Sequence, residues 1–135
     1  MLHPNQFQVS EAWIVFKLNE SVIHIEMDGD FSLFALMDAA SCYLMSTTTV
    51  SAKATEPSQL ESRRLLKEAE ASKNCLPVTL FIPTLQAASF LTTEAARQGI
   101  QVIRVPEDQL LIFIGDAREG FRERFGGSID GDDGH

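Results

Sequence analysis

This chain of 135 residues has few cysteines that could form disulfides, and few sequence features that would anchor it in a membrane or direct its export. Its two cysteines, Cys42 and Cys75, have neither the spacing of a metal site nor the number needed for a disulfide framework, so we expect reduced thiols. No apolar run approaches the roughly 20 residues that span a bilayer, so no membrane association is expected. Polar residues and a proline at positions 3–6 interrupt any signal-peptide pattern. We therefore expect a cytoplasmic protein.

Basic side chains are also few, since 11 Lys and Arg residues stand against 19 Asp and Glu residues, for a formal net charge of -8. Such a charge opposes a nucleic-acid backbone at long range, so nucleic acid is not the expected partner. Arg63 and Arg64 on one predicted helix, and Arg118 and Arg122 on another, lie beside glutamates that can pair with them. These arginines are predicted to lie on solvated helix faces.

Apolar residues are abundant enough for a core, at 44% of the chain, and the mean hydropathy is -0.01. This composition is typical of a globular protein rather than a disordered one. We predict a single α/β domain over residues 1–125, followed at 126–135 by an acidic C-terminal tail rich in Gly and Asp.

Patterns of period two predict strands in the first half of the chain. Residues 12–18 are apolar on both faces, which is typical of a central strand. Residues 22–26 alternate, Asp28-Gly29-Asp30 is a turn signal, and residues 31–37 form the next predicted strand. Residues 42–52 form another strand, whose later part is β-prone but polar, as expected of an exposed sheet edge.

Helical periods dominate the second half of the chain. A capping box predicts a helix that begins near Ser58, and Asn74 predicts its end. A buried strand at 78–82, a helix at 85–98 and a strand at 100–105 are predicted to follow it.

The last stretch, residues 109–125, fits two structures. Its apolar residues recur every three or four positions, which favours a helix over most of its length. Residues 110–114 alone would also fit a sixth strand, with a shorter helix beginning after Gly115.

This order of elements predicts a fold. Two successive strand–helix–strand passages require crossovers, and crossovers make parallel strand pairs. Together with an antiparallel three-strand meander they predict a mixed five-stranded sheet flanked by helices, with the first strand at its centre. The residues predicted to form the core are Trp13, Phe16, Phe34, Leu36, Leu66, Leu80, Ile82, Ile103, Ile114 and Phe121.

One short segment carries a family resemblance. Leu36-Met37-Asp38-Ala39-Ala40-Ser41-Cys42-Tyr43-Leu44 resembles the second hairpin of integrase- and transposase-type cores in the ribonuclease-H-like superfamily, where an aspartate and a serine often occupy the same turn. The order of elements between Trp13 and Phe125 is similar too. The chain also resembles bacterial domains of this fold that lack a clear active site. The resemblance implies a ribonuclease-H-like fold.

The chemistry that the resemblance implies is not matched by the residues present. Those cores use two or three carboxylates to hold paired magnesium ions for phosphodiester cleavage. Their first acid lies within the first strand, where this chain has Phe16-Lys17-Leu18, and their second lies at the end of the fourth, where it has Ile82-Pro83-Thr84. A lysine near the first position would repel a magnesium ion. We therefore expect no catalytic residues, although Asp116 and Glu119 on the last helix are candidate ligands.

A second set of candidate ligands lies on one strand. His24, Glu26 and Asp28 alternate, so they would share a face and could bind zinc or another transition metal. The simpler interpretation is that this face meets water while the intervening apolar residues face the core, so we expect neither a metal nor a cofactor. The alternative, a divergent metal-dependent nuclease with displaced ligands, would draw on Asp28, Asp30, Asp38, Asp116 or Glu119.

These observations favour a non-catalytic protein-interaction or regulatory module on a ribonuclease-H-like scaffold. No nucleophile elbow, phosphate-binding loop or dinucleotide-binding glycine pattern occurs in the sequence. The polar strand at 43–51 is the predicted interaction edge, where another protein or a second copy of the chain would pair. Besides the nuclease, a non-catalytic nucleic-acid-binding module that uses the arginine-bearing helices is an alternative.

Overall fold

The computed structural model describes residues 1–19, 23–25 and 29–123, so the predicted tail at 126–135 lies outside the described residues. None of the helices described is long and apolar enough to cross a membrane. The helices are α1 (Gln59–Lys73), α2 (Ser89–Arg97) and α3 (Leu111–Phe121), and a 3₁₀ turn at Glu107–Leu110 precedes α3. The strands are β1 (Ala12–Lys17), β2 (Ile23–Ile25), β3 (Gly29–Asp38), β4 (Leu44–Ser51), β5 (Thr79–Pro83) and β6 (Gln101–Val105).

The strands form one mixed sheet with β1 at its centre, as predicted. β1 pairs antiparallel with β3 and parallel with β5, and β6 extends the parallel side beyond β5. β4 pairs antiparallel with the other edge of β3. Phe31 of β3 lies between Ser51 of β4 and Ile23 of β2, so the short β2 lies on the same side of β3 as β1. The six strand segments therefore occupy five positions in the order β4, β3, β1 with β2, β5 and β6.

Alternation along β1 divides the core into two layers. Ile14 and Phe16 pack with Phe113 and Ile114 beneath α3. Trp13 and Val15 face the opposite side, in the layer covered by α1 and α2. Successive side chains of a strand point to opposite faces of the sheet, so a strand that is apolar at every position can support both layers.

Most residues of the predicted core are buried. The exceptions are Ile103 and Phe121, which are half-buried. Ile103 lies on β6, which pairs only with β5 among the described strands, and Phe121 is the last residue of α3. Both residues therefore lie where the covering layer ends.

Hydrogen bonds to the first turns of α1 and α2 set where these helices begin. The predicted capping box of α1 is confirmed, since Ser58 Oγ accepts from Glu61 N at 3.1 Å and Glu61 Oε1 accepts from Ser58 N at 2.8 Å. α2 begins at Ser89 rather than at residue 85, and its N-cap, Ala88, has no side-chain acceptor. Glu56, from the loop before α1, accepts from Phe90 N at 3.0 Å instead. A cap supplied by a distant loop cannot be found from spacing along the helix.

The last predicted element is a helix. α3 covers Leu111–Phe121, so the sixth-strand alternative for residues 110–114 is wrong and the helix that the apolar period favoured is confirmed. The chain enters α3 through the 3₁₀ turn, in which Leu110 is fully buried.

The assignment of the buried face of α1 can be tested with two leucines of that helix. Leu66 of α1 is 3% exposed within the α1–α2 layer, whereas Leu60 of the same helix is 62% exposed. We predict that Leu66→Ala lowers the free energy of unfolding by about 2–5 kcal/mol, because it removes buried methyl groups and leaves a cavity. Leu60→Ala should change that free energy by no more than about 0.5 kcal/mol. Urea denaturation of the two variants measures both effects, and equal losses would contradict the assignment of the buried face.

Candidate functional site

The turn between β3 and β4 is organised by Asp38, whose side chain is fully buried. One carboxylate oxygen accepts from Ser10 N at 2.7 Å. The other accepts from Ser41 N at 3.0 Å and from Ser41 Oγ at 2.8 Å. A carboxylate that accepts these bonds from the N-terminal loop and the hairpin is held in a structural position, where it joins the two segments.

The middle of β1, where the sequence resemblance implies the first acid of integrase-type cores, is part of the core. Phe16 is 0% exposed and lies in the α3 layer, and Leu18 lies in the same layer. Lys17 is half-buried and, by alternation, points to the opposite face from Phe16. Lys17 therefore faces away from the layer in which Phe16 packs. An apolar side chain, Phe16, faces α3 from the middle of β1.

A cation and backbone carbonyls surround the position of the second family acid. Arg104 on β6 donates from Nη1 to Pro83 O at 3.0 Å and also to Gln86 O. Thr84, the residue after β5, is exposed and donates its N–H to Val105 O at 2.9 Å. This corner of the sheet is closed by hydrogen bonds to the backbone.

α3 presents an arginine to the end of β1. Arg118 Nε donates to Lys17 O at 3.0 Å, and Arg118 Nη1 lies 2.5 Å from Glu107 Oε1. The two acids of α3 are exposed, and Asp116 lies at the wall of a groove described below. Both carboxylates of this helix therefore lie at the protein surface.

The metal candidates on the second strand segment can be placed only in part. Glu26 and Asp28 lie outside the described residues. The backbone of His24 lies in β2, opposite Asp30 of β3. Within the part of the chain that the structure describes, no group of three His, Cys, Asp or Glu residues could hold a metal ion.

An apolar groove opens between α3 and the β3–β4 hairpin. Its volume is about 300 Å³. From the hairpin side it is lined by Met37, Cys42 and Leu44, and Leu18, the residue after β1, also lines it. The α3 residues that line it are Phe113, Asp116, Ala117, Gly120 and Phe121.

The ionisable groups of this groove are Cys42 and Asp116. Burial raises the pKa of the Cys42 thiol, and the negative charges of Asp116 and then Asp38 raise it further. A thiol whose pKa is raised stays protonated near neutral pH, so Cys42 has the character of a small apolar wall residue rather than a nucleophile. The groove is therefore an apolar recess with one carboxylate at its wall.

The outer edge of β4 adjoins this groove. Ala52 N donates to Asp30 O at 2.9 Å, just beyond the end of β4. In an antiparallel ladder the bonding direction alternates, and the register from Ser46 to Ser51 is unbroken, so Thr47 and Thr49 direct their backbone N–H and C=O away from β3. Among the described strands β4 pairs only with β3, which leaves these groups open to another chain.

The two faces of β4 differ in solvent exposure more than its sequence indicated. Ser46 and Thr48 are buried, and Ser46 Oγ donates to Leu65 O of α1 at 2.8 Å. Thr47 and Thr49 are exposed on the other face. The prediction of an edge strand is confirmed, but its polar residues are only half exposed because α1 covers one face.

Aromatic surface lies at the start of this edge. Tyr43 is 57% exposed, and Lys73 Nζ of α1 lies 5.3 Å from the centroid of its ring. Leu44, the first residue of β4, is 36% exposed and also lines the groove. The groove, the exposed Tyr43 and the outer edge of β4 form one continuous surface, here called the β4 surface.

A buried carboxylate joins α1 to α2 elsewhere. Glu94 is 2% exposed and accepts from Arg63 Nε at 3.3 Å, from Gln59 Nε2 at 3.3 Å and from Arg97 Nη1 at 3.3 Å. The hydrogen bond from Arg63 is the main reason why the pKa of Glu94 is lowered, and burial opposes it. Helical period is the signal that could have found it, because Glu94 lies between Leu91 and Ala95 on the buried face of α2.

The hydrogen bonds and charges around Glu94 predict that the free energy of unfolding depends on pH in the acid range. The pKa of Glu94 lies below its ordinary value of 4.5 in the folded protein, so the ionised carboxylate contributes stability above that pH. This contribution is lost as the pH falls through the lowered pKa. We predict that Glu94→Gln flattens the fall in unfolding free energy below pH 4.5, measured by urea denaturation at a series of pH values. Profiles of the same slope for both proteins would contradict this role.

Comparison with solved structures finds the same fold in retroviral integrases. The chain is similar to the catalytic core domain of BIV integrase, with a TM-score of 0.57 and 12% identity over 91% of this chain and 73% of that one. It is also similar to a chain in the simian T-cell lymphotropic virus intasome in complex with PP2A regulatory subunit B56 gamma, with a TM-score of 0.52, 14% identity and 87% of this chain covered. This chain spans 37% of the length of that intasome chain.

The sequence itself matches no family model and no curated protein. At these identities a structural likeness establishes the fold and not the activity. The mixed sheet with β1 at its centre and helices on both faces is a ribonuclease-H-like α/β fold.

Proposed function

We propose that this domain is a non-catalytic protein-interaction module that binds an extended segment of a partner protein along β4. The observation that carries the proposal is the open outer edge of β4, with the outward backbone groups of Thr47 and Thr49 beside an apolar groove. Addition of a strand to an exposed edge is a common way of binding a peptide: backbone hydrogen bonds supply affinity and side-chain pockets supply specificity.

The sequence of β4 supports this role because it lacks the usual protection of an edge. Natural edge strands carry charges or prolines that prevent pairing with other chains. Residues 44–51 include neither a charged residue nor a proline. The irregularity in the β3–β4 pairing lies between Leu36 and Met37, at one end of β4, and leaves the ladder from Ser46 to Ser51 regular.

Charge supports a partner that differs from this chain. Asp116 lies at the groove wall, and the whole chain carries a formal charge of -8. Two copies would repel each other at long range, whereas a basic segment would be attracted. We therefore propose a basic protein segment as the partner, and pairing between two copies is an outcome that the same experiments detect.

The absence of catalysis is proposed from the residues at the family positions. Phe16 is buried in the core, Arg104 binds the carbonyls after β5, and Arg118 faces the end of β1. Two magnesium ions require several carboxylate ligands that converge, and these positions supply cations and apolar groups instead.

The edge proposal is tested by changing one outward backbone N–H. Proline at an outward-facing position of an edge strand removes no bond to the neighbouring strand, so we expect Thr49→Pro to fold. Peptides selected from a displayed random library on the wild-type protein should bind Thr49→Pro roughly tenfold more weakly or worse, because a hydrogen bond is lost and the ring obstructs pairing. Thr49→Val is the matched control, since it alters the same side chain but keeps the N–H.

The affinities can be measured by fluorescence anisotropy with labelled peptides. A failure to select any peptide, or equal affinities for wild type and Thr49→Pro, would contradict binding at β4. Concentration-dependent dimerisation that Thr49→Pro abolishes would identify a second copy as the occupant and overturn the proposal of a different partner.

We also predict that the purified protein does not cleave DNA or RNA in the presence of magnesium or manganese. Single- and double-stranded substrates should remain intact at physiological ionic strength, because no converging carboxylate set is found among the described residues and the net charge disfavours capture of a polyanion. Asp38→Ala, Asp116→Ala and Glu119→Ala are the controls. Cleavage that disappears in one of these variants would establish the nuclease alternative, whereas contaminating activity would survive in all three.

A further inference from the structure

We infer that the groove between α3 and the β3–β4 hairpin is the specificity pocket of the β4 surface, and that it takes one large apolar side chain of a segment that carries a Lys or Arg nearby. This inference rests on the proposed function and adds the chemistry of the ligand. It assigns Gly120 to keeping the pocket open and Asp116 to recognising the cation.

Size and composition define the apolar part of the ligand. The groove has a volume of about 300 Å³ and its walls are mainly apolar. Pockets for drug-sized ligands run from about 300 to 1,000 Å³, so this groove lies at the lower limit and suits a single side chain. Leu44 lies where β4 meets the groove, which makes the recess continuous with the strand edge.

Because side chains alternate along a strand, some side chains of a segment paired to β4 would lie on the face of the sheet that carries the groove. Thr47 lies opposite Ala35 and Thr49 opposite Leu33, and both β3 residues pack in the layer beneath α3. Thr47 and Thr49 therefore share the face of the groove, while Ser46 faces α1. Alternate side chains of a strand paired to β4 would lie on the groove side, and the one beside Leu44 would reach the pocket.

Gly120 leaves space at the α3 wall. A Cβ placed on Gly120 would meet no atom of the described residues within 4 Å, and Gly120 lines the groove. Glycine inside a helix is less favourable than any residue except proline, so a residue with a side chain would stabilise α3. An open wall at this position is the feature that the glycine provides.

Asp116 supplies the negative charge that would recognise a Lys or Arg of the bound segment. Its carboxylate is on the exposed side of α3 at the groove wall, and its field contributes to the raised pKa of Cys42 inside the groove. Among the residues that line the groove, no cationic side chain neutralises it. A Lys or Arg on the bound segment would gain a partner there, with a contribution that falls as salt rises.

The two glycines of α3 provide a matched pair of variants. A Cβ placed on Gly115 would also meet no atom within 4 Å in the part of the chain that the structure describes, but Gly115 does not line the groove. Gly115→Leu and Gly120→Leu both raise helix propensity by the same substitution. We predict that Gly120→Leu weakens binding of the selected peptides roughly tenfold or more, because it fills the pocket, whereas Gly115→Leu leaves affinity unchanged.

Asp116→Asn tests the charge at the same site. Peptides selected on wild type should carry an apolar residue with a neighbouring Lys or Arg, and Asp116→Asn should weaken their binding and reduce its dependence on salt. Replacing the basic residue of the peptide with Gln should cost affinity on wild type and much less on Asp116→Asn.

The outcomes separate this inference from the proposed function. Peptides that lose binding with Thr49→Pro but not with Gly120→Leu would overturn the pocket and leave the edge proposal intact. Equal binding to Thr49→Pro and wild type would overturn the edge proposal itself. Selected peptides without a basic residue, or with unchanged affinity for Asp116→Asn, would overturn the role of the charge.

Discussion

Burial of β1 on both faces is the constraint on which the rest of the structure depends. Trp13 and Val15 anchor the layer beneath α1 and α2, while Ile14 and Phe16 anchor the layer beneath α3. Because the strand also pairs with β3 and β5, its removal would separate the antiparallel half of the sheet from the parallel half. The hydrophobic effect acts on both faces of one strand, so the two halves must fold around it together.

The same constraint disfavours a carboxylate in the middle of β1. A carboxylate on the α3 face of β1 would have to replace an apolar residue such as Phe16, which is fully buried. Such a charge is tolerated only when metal ions or hydrogen-bond donors compensate it. Here α3 presents Arg118 to the β1 backbone and to Glu107, and Arg104 closes the end of β5. The described residues at the centre of the sheet are therefore engaged in packing and hydrogen bonds, whereas the outer edge of β4 pairs with no described strand.

The unequal coverage of the sheet creates the β4 surface. α1 packs over Ser46, Thr48 and Val50, so one face of β4 is closed. α3 lies over β1 and does not close the groove toward Met37 and Leu44. Asp38 holds the hairpin in place beside this groove through its bonds to Ser10 and Ser41. A buried carboxylate that accepts hydrogen bonds from both segments holds this side of the groove rigid, as the proposed recognition role requires.

Residue order alone determined the order of most strands and helices, the central place of β1 and the edge position of β4, because hydrophobic periods and crossover rules are local or nearly local. The capping box of α1 is local in the same sense. Only the tertiary structure decided which faces of the sheet Lys17 and Phe16 occupy and how Glu56 caps α2. It also decided which carboxylates accept hydrogen bonds from residues distant in the chain. Glu94 is buried by contacts with another helix, and the groove exists because α3 and the hairpin meet at a distance set by core packing. Such features depend on side chains far apart in the chain, and no spacing within one element specifies them.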